Sequence, residues 1–212
     1  MERFDKQRGV ADALEPTEVA AAWLRGVDVL HVPAYSLVVE PLGATSRKAI
    51  SSARETGARV SIDASSTGPI TAFGISPFLE MLISLQPDVL FVNEDEADLL
   101  GLRSGAHLPG ATLTVIKAGS DPVLLVAASG ETTTVPVTPV EVVSDTTGAG
   151  DAFAAGFIAA RMAGANSTEI VRFRRSGSDV ARVDNSGYLH APRLSAPNDR
   201  PHPPAPPPPT PP

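Results

Sequence analysis

The chain has 212 residues, no cysteine and a formal net charge of -7, and 42% of its residues are hydrophobic. This length and apolar content suffice for one substantial hydrophobic core. The lack of cysteine excludes disulfides and thiolate metal sites. A negative net charge argues against binding to the phosphate backbone of nucleic acids, which needs clustered Lys and Arg. The four histidines lack metal-ligand spacing, so no structural metal is predicted.

The sequence also contains no obvious membrane or secretion signal. No apolar run approaches the roughly twenty residues that a transmembrane helix needs, and the first residues lead into no apolar signal core. We therefore expect a cytoplasmic protein whose partner is a small molecule, with no nucleic acid and no membrane as partner.

The first part of the chain alternates candidate helices with short apolar strands. A helix beginning near Thr17, with Trp23 on its apolar face, precedes a strand over 27–32. A second helix closes at Gly57, and a strand follows over 59–63.

The alternation continues with a third helix. Ser76 and Pro77 form a good N-cap and first-turn pair for it. The next strand covers 88–92, and a short helix follows from Asn93 to Leu100. Helices feeding strands in this way predict an α/β fold in which a mostly parallel sheet carries helices on both faces.

The pattern then changes to β structure alone. Apolar, β-branched runs over 113–116, 123–127 and 132–137 are separated by turn-forming residues. This spacing predicts an antiparallel hairpin at the edge of the sheet.

A last long helix is predicted from about residue 150 to residue 163. It places Phe153, Phe157 and Ala160 on one face, at positions i, i+4 and i+7. Gly156 lies inside this helix, where glycine costs roughly 1 kcal/mol relative to alanine. Close packing of the helix against the sheet is therefore predicted at Gly156.

The C-terminal part of the sequence lacks these patterns. Residues 172–195 are rich in arginine and show no clean period, so their structure is left uncertain. Residues 196–212 are nearly all proline toward the end and predict an extended, disordered tail. A proline-rich ligand for an aromatic groove is the alternative for this tail.

The segment from Asp145 to Asp151 carries the most specific chemistry. It follows an apolar strand over 140–143 and contains the sequence Gly-Ala-Gly at 148–150, immediately before the last helix. Amide groups at a helix N-terminus favour an anion such as phosphate, and Asp151 would lie beside them, able to accept a hydroxyl proton. An isolated Gly-x-Gly-Asp fits a plain turn with a helix-stabilising aspartate equally well. The sequence matches neither a dinucleotide fingerprint nor a Walker loop.

Other polar residues follow the predicted strands. Asn93 and Glu96 have the spacing of a capping box, and Lys117 with Gly119 fits a hairpin turn. Asp63 lies at the end of its strand, where α/β sheets bind ligands. His31, on an apolar strand, is interpreted as a core histidine with a satisfied hydrogen bond.

The run from Asp145 to Phe153 is similar to the second signature of the ribokinase (PfkB) family of carbohydrate kinases. The resemblance implies a ribokinase-like fold and ATP-dependent phosphorylation of a hydroxyl group on a sugar or sugar-like metabolite. It implies that Asp151 is the catalytic base and that the amides of Gly148, Ala149 and Gly150 form the anion hole. It also implies that Asp145 and Thr146 lie near the bound phosphates.

The same resemblance assigns roles to the residues after the strands. It implies that Asn93 and Glu96 help to organise Mg²⁺ and phosphates, Glu96 through water, and that Lys117 and Gly119 contact the nucleotide. The expected cofactors are therefore ATP and Mg²⁺, and the resemblance leaves a homodimer open.

Two departures from the family set the expected domain organisation. The family begins with a segment that carries a Gly-Gly substrate motif and most of a β lid, and it ends with helices that wall the adenine pocket. Residues 1–171 are therefore interpreted as an incomplete ribokinase-like domain in which the lid is largely absent. Turnover is expected to be low for that reason, and the alternative is an inactive kinase remnant that binds only nucleotide or a partner subunit.

Overall fold

The computed structural model describes residues 13–137 and 148–164, together with the backbone of two short strands farther along the chain. Short 3-10 turns cover Pro16–Glu18, Ala21–Leu24 and Ala34–Ser36. The helices are α1 (Leu42–Glu55), α2 (Thr67–Phe73), α3 (Ile75–Leu85), α4 (Glu94–Leu99) and α5 (Ala149–Met162). The strands are β1 (Val29–Pro33), β2 (Arg59–Asp63), β3 (Val89–Asn93), β4 (Leu113–Ala118), β5 (Asp121–Ala127), β6 (Thr132–Val135), β7 (Arg182–Val183) and β8 (Leu189–His190).

The main sheet has six strands in the order of the sequence, from β1 to β6. Strands β1 to β4 are parallel, and β5 and β6 continue from β4 as antiparallel neighbours. The predicted α/β class, the parallel sheet and the antiparallel edge are therefore confirmed. β7 and β8 form a separate antiparallel pair.

Helices cover both faces of this sheet because successive side chains of its buried strands point to opposite sides. On β3, Leu90 and Val92 join a core that includes Phe78 and Leu82 of α3. The alternate residue Phe91 joins a second core on the other face, which is covered by α5. The central strands are apolar on both faces for this reason, and they read as continuous apolar runs in the sequence.

The predicted N-terminal helix is wrong. The structure has two short 3-10 turns in its place, and Trp23 is 55% exposed while Leu24 is buried. The proposed cap at Ser76 is also wrong, since α3 begins at Ile75 and its N-cap residue is Gly74. In both places the local sequence pattern predicted a helix start at a residue where no α-helix begins in the structure.

The prediction of close packing at Gly156 is wrong as well. Among the residues that the structure describes, a Cβ atom added at this position would meet no heavy atom within 4 Å outside its own helix. Phe153, Phe157 and Ala160 are buried as predicted, so the contact face of α5 lies beside Gly156.

In the part of the chain that the structure describes, no single helix is long and apolar enough to cross a membrane. α2 and α3 together pass that test of length and composition, but the chain bends by 101° between them. α3 buries Phe78 and Leu82 in the protein core.

Some sequence-based expectations concern residues that the structure does not describe. These are the strand over 140–143, Asp145, Thr146, most of the segment 172–195 and the proline-rich residues 196–212.

Candidate active site

A cleft of about 510 Å³ lies at the C-terminal ends of the parallel strands. In an α/β sheet these ends form one edge, and ligands bind there. Each of β1 to β4 brings polar side chains to the cleft, and the start of α5 closes one side of it. The residues of this cleft that the following paragraphs use are His31, Tyr35, Asp63, Ser65, Asn93, Glu96, Lys117, Gly119 and 148–151.

The N-terminus of α5 presents free backbone donors to the cleft. Gly148 is the N-cap residue, and its φ of 74° lies in the left-handed region that glycine adopts without strain. Among the residues that the structure describes, no side chain caps this helix, and the first N–H groups of an α-helix have no partner within it. Together with the helix dipole, these amides form a binding site for an anion. Asp151, in the same first turn, is exposed to the cleft.

Asn93 and Glu96 form the predicted capping box at the start of α4. The Asn93 side chain accepts a hydrogen bond from the backbone N–H of Glu96 (2.9 Å). The Glu96 carboxylate accepts hydrogen bonds from the backbone N–H of Asn93 (2.8 Å) and from its side-chain amide (3.0 Å). The box fixes the Glu96 carboxylate at the base of the cleft, where the residue is only 1% exposed.

The surroundings of Glu96 favour its neutral form. Burial raises the pKa of the Glu96 carboxyl above its ordinary value, and the negative charge of Asp63 acts in the same direction. The hydrogen bond from Asn93 and the positive charge of Lys117 oppose the rise. Glu96 is therefore a carboxylate that a nearby cation would help to ionise.

Glu96→Gln should gain stability relative to the unchanged chain as the pH rises through 4.5, the ordinary glutamate value. Below that value both the folded and the unfolded chain hold the proton, so ionisation costs nothing. Above it the unfolded chain ionises freely while folded Glu96 resists, so the unchanged chain loses stability until the pH passes the raised folded pKa. Urea unfolding of both proteins at a series of pH values, without divalent cations, measures the difference.

Glu80→Gln on α3 is the matched control for this measurement, because it removes one exposed carboxylate outside the cleft. Glutamine at position 96 still caps α4 through its carbonyl oxygen, so the loss of one hydrogen bond lowers stability by about 1 kcal/mol at every pH. If the stability of Glu96→Gln minus that of the unchanged chain stays constant or falls with rising pH, the burial of an ionisable Glu96 is contradicted.

Lys117 reaches across the sheet to Asp63. Its ammonium donates a hydrogen bond to Asp63 Oδ2 at 2.6 Å, and the side chains are only 16% and 7% exposed. The register of β4 against β5 shifts between Ile116 and Ala118, which flank the lysine. Irregularities of this kind re-aim a side chain, and this one lies at the cleft.

His31 lies on β1 near the same charges. Its Nδ1 pairs with the Ser61 hydroxyl at 2.9 Å, so the expected hydrogen bond of a core histidine is present. Burial lowers the pKa of the His31 imidazole, although the charges of Asp63 and Asp151 act to raise it. The ring is half-buried and forms part of the cleft wall, which the sequence interpretation did not anticipate.

The structure brings together all the predicted site residues that it describes. Asn93, Glu96, Lys117, Gly119 and the run 148–151 line one cleft. Sequence reasoning singled out Asp63 only weakly and did not single out Tyr35 or Ser65. Their common signal is their position at or just after the C-terminal end of β1 or β2, which are parallel strands of the same sheet.

The residues present fit a magnesium ion that arrives with phosphate groups. The part of the chain that the structure describes holds no cluster of three or more His, Asp or Glu side chains suited to a metal. Mg²⁺ needs only one or two carboxylates besides water and phosphate oxygens. Two lone pairs of the Glu96 carboxylate remain after its bonds to Asn93, and they can accept hydrogen bonds from metal-bound water.

Comparison of the sequence with protein families gives one match. The family described as pfkB family carbohydrate kinase matches residues 6–181. A search of curated protein sequences finds no significant match.

Solved structures with the same fold include three sugar or nucleoside kinases. Adenosine kinase from Sinorhizobium meliloti has 22% identity and a TM-score of 0.69, over 86% of this chain and 56% of that one. Fructokinase from Xylella fastidiosa with bound ATP has 21% identity and a TM-score of 0.60, over 69% and 48%. Fructokinase from Vibrio cholerae O395, in its fructose, ADP and calcium ion bound form, has 23% identity and a TM-score of 0.61, over 79% and 58%. The chain thus spans about half the length of these relatives.

Proposed function

The chain belongs to the pfkB family of carbohydrate kinases, and on this premise we propose that it transfers the terminal phosphate of ATP to a hydroxyl group of a sugar or sugar-like metabolite. The observation that carries the proposal is the glycine turn at the start of α5, whose uncapped residues and Asp151 line the cleft within the described part of the chain. Similar structures bound to ATP, or to fructose and ADP, support this choice of ligands.

In the proposed reaction Asp151 acts as the general base. Its carboxylate accepts the proton of the substrate hydroxyl while the hydroxyl oxygen forms a bond to the terminal phosphorus of ATP. The bond from that phosphorus to the bridging oxygen breaks, and ADP leaves. The amides of Gly148, Ala149 and Gly150 stabilise the negative charge on the transferred phosphate.

The remaining site residues hold the nucleotide in this proposal. Lys117 and Gly119 border it at the end of β4. The family resemblance alone assigns Asp145 and Thr146, which lie outside the described residues, to its phosphates. Asn93 and Glu96 would hold the water shell of a magnesium ion that arrives with the nucleotide. Bound Mg²⁺ would neutralise phosphate charge.

A second candidate is a protein that binds nucleotide, or a partner subunit, without catalysis. The observation that favours it is that the glycine turn and Asp151 are exposed in the part of the chain that the structure describes. Phosphoryl transfer depends on positioning the reactants and excluding water, and both need a closed site.

The test is to measure ATP binding and sugar-dependent ADP release with the same purified protein. We expect ATP and Mg²⁺ to bind, and ADP release to rise when a hydroxylated substrate from a panel of sugars and nucleosides is added. ATP binding without any substrate-dependent release would favour the second candidate. Absence of ATP binding, with the protein folded by circular dichroism, would contradict the kinase and the nucleotide-binding form of the second candidate, and would leave only binding to a partner subunit.

A further inference from the structure

A largely buried ion pair links β2 to β4 across the strand between them. Asp63 ends β2, Lys117 lies on β4, and β3 separates the two strands. The Lys117 side chain crosses over the ring of Phe91 on β3, with the ammonium 5.8 Å from the ring centroid, and reaches Asp63 Oδ2 at 2.6 Å. This path gives the ammonium one defined position.

Stability alone does not account for this pair. Removing two charges from water costs about as much as their attraction returns, and apolar residues of similar size often stabilise a protein equally well. Both oxygens of Asp63 are nevertheless engaged, since Oδ1 accepts a hydrogen bond from the backbone N–H of Ser65 at 3.0 Å. Ser65 has a φ of 66°, which is an unusual conformation for a residue other than glycine. The carboxylate therefore fixes both the lysine and a strained turn in the cleft wall.

The position of the ammonium matches the proposed phosphate site. A Cβ atom added at Gly150 would lie 3.5 Å from Lys117 Nζ, so the ammonium lies against the first turn of α5. An ammonium has three donors. Among the residues that the structure describes, Asp63 is the one acceptor of a hydrogen bond from Lys117 Nζ. Two donors thus remain beside the anion-binding amides and the cleft.

We infer that Asp63 is a positioning residue, which holds the Lys117 ammonium beside Gly150 so that the ammonium contacts the terminal phosphate of ATP. The inference rests on the proposed function for the identity of the ligand. Lys117 thereby becomes a catalytic residue that neutralises charge on the transferred group. Asp63 holds the ammonium in place, while Asp151 and the glycine turn act on the reacting atoms.

The chain offers a direct test because it has only three lysines, Lys6, Lys48 and Lys117. Acetic anhydride acetylates lysines according to their exposure and protonation, and peptide mass spectrometry resolves the rate at each one. Lys48 is the internal reference, since it is exposed on α1 and hydrogen-bonds to the Pro16 carbonyl oxygen. Acetylation is measured on the full chain alone and with ATP, tripolyphosphate or AMP, and ATP binding is measured separately by calorimetry.

Addition of ATP or tripolyphosphate should slow acetylation of Lys117 about tenfold or more relative to Lys48, which is the range expected for a hydrogen bond to a charged group. AMP, which lacks the terminal phosphate, should leave the ratio within about twofold. If calorimetry shows that ATP binds but Lys117 is not protected, the inference fails while the proposed function stands. If ATP does not bind, both fail.

Without ligand, Asp63→Asn should speed acetylation of Lys117 about tenfold relative to Lys48, because the amino group loses its charged hydrogen-bond partner and becomes more accessible to the reagent. Asp63→Glu, which keeps the charge, should restore part of the slow rate. Asp88→Asn is the matched control. The Asp88 carboxylate accepts a hydrogen bond from the backbone N–H of Val60, which lies on the same strand as Asp63, and Asp88 does not line the cleft. An unchanged ratio in Asp63→Asn, or an equal rise in Asp88→Asn, would overturn the positioning role.

Discussion

Asp151→Asn should lower the rate of sugar-dependent phosphoryl transfer by about a hundredfold to ten-thousandfold, which is the contribution of a positioned general base. Asparagine keeps the size of the side chain and its place in the first turn of α5. It cannot accept the proton of the attacking hydroxyl, so the chemical step slows while the amides of the glycine turn remain.

The same substitution should hardly change the stability of the fold. Asp151 is exposed, and a carboxylate in the first turn of a helix contributes only about 0.3 to 1 kcal/mol through the helix dipole. ATP affinity should also be kept or slightly increased, because one negative charge near the phosphates is removed. The effects on rate and on stability are therefore far enough apart to separate catalysis from folding.

Single-turnover transfer of labelled phosphate from ATP, together with calorimetric ATP binding and thermal unfolding, measures the three quantities. Asp95→Asn is the matched control, since Asp95 is an exposed carboxylate in the first turn of α4 and does not line the cleft. A rate loss below about tenfold in Asp151→Asn, or a similar loss in Asp95→Asn, would contradict the assignment of the base.

Much of the fold could be predicted because the parallel strands carry a strong local signal. β2 has the bounds expected from the sequence, 59–63, since four of its five residues are buried and the preceding turn at Gly57 is clear. A strand buried on both faces must be apolar or hydrogen-bonded along its length, and a short run between turn residues shows this directly.

α2 was missed because its sequence argues against a helix. It contains Gly68 and Pro69, two residues that usually mark turns, yet the chain is helical from Thr67 to Phe73. Ile70 of this helix is 1% exposed and packs in the core that contains Phe78 and Leu82, and this burial accounts for the helix. Tertiary packing of this kind overrides local propensity and leaves no local signal.

The candidate site was predictable residue by residue but not as a network. The glycine turn and the capping box are local, and their spacing is visible in the sequence. The contact between Asp63 and Lys117 joins residues 54 positions apart. It depends on the order of β2, β3 and β4 and on the irregular register at Lys117. Neither the strand order nor the irregular register can be inferred from the residues that flank Asp63 or Lys117 in the sequence.

Phe91→Ala should lower the free energy of unfolding by about 3 to 5 kcal/mol, the range for deleting a buried aromatic side chain. Phe91 is completely buried on β3. Its ring makes edge-on contacts with Phe153 and Phe157 of α5, at centroid distances of 6.1 and 5.3 Å. It also makes an edge contact with His31 at 6.1 Å. The substitution would leave a cavity between the sheet and α5.

This cavity should also weaken ATP binding, because the same ring supports both halves of the site. α5 carries the glycine turn and Asp151, and the Lys117 side chain crosses the Phe91 ring on its way to Asp63. Urea unfolding gives the stability loss, and calorimetry under folding conditions gives the ATP affinity. Phe73→Ala on α2 is the control, since Phe73 is 40% exposed and its removal should cost about 0.5 kcal/mol or less. Equal losses of stability in the two variants would show that Phe91 does not join α5 to the sheet.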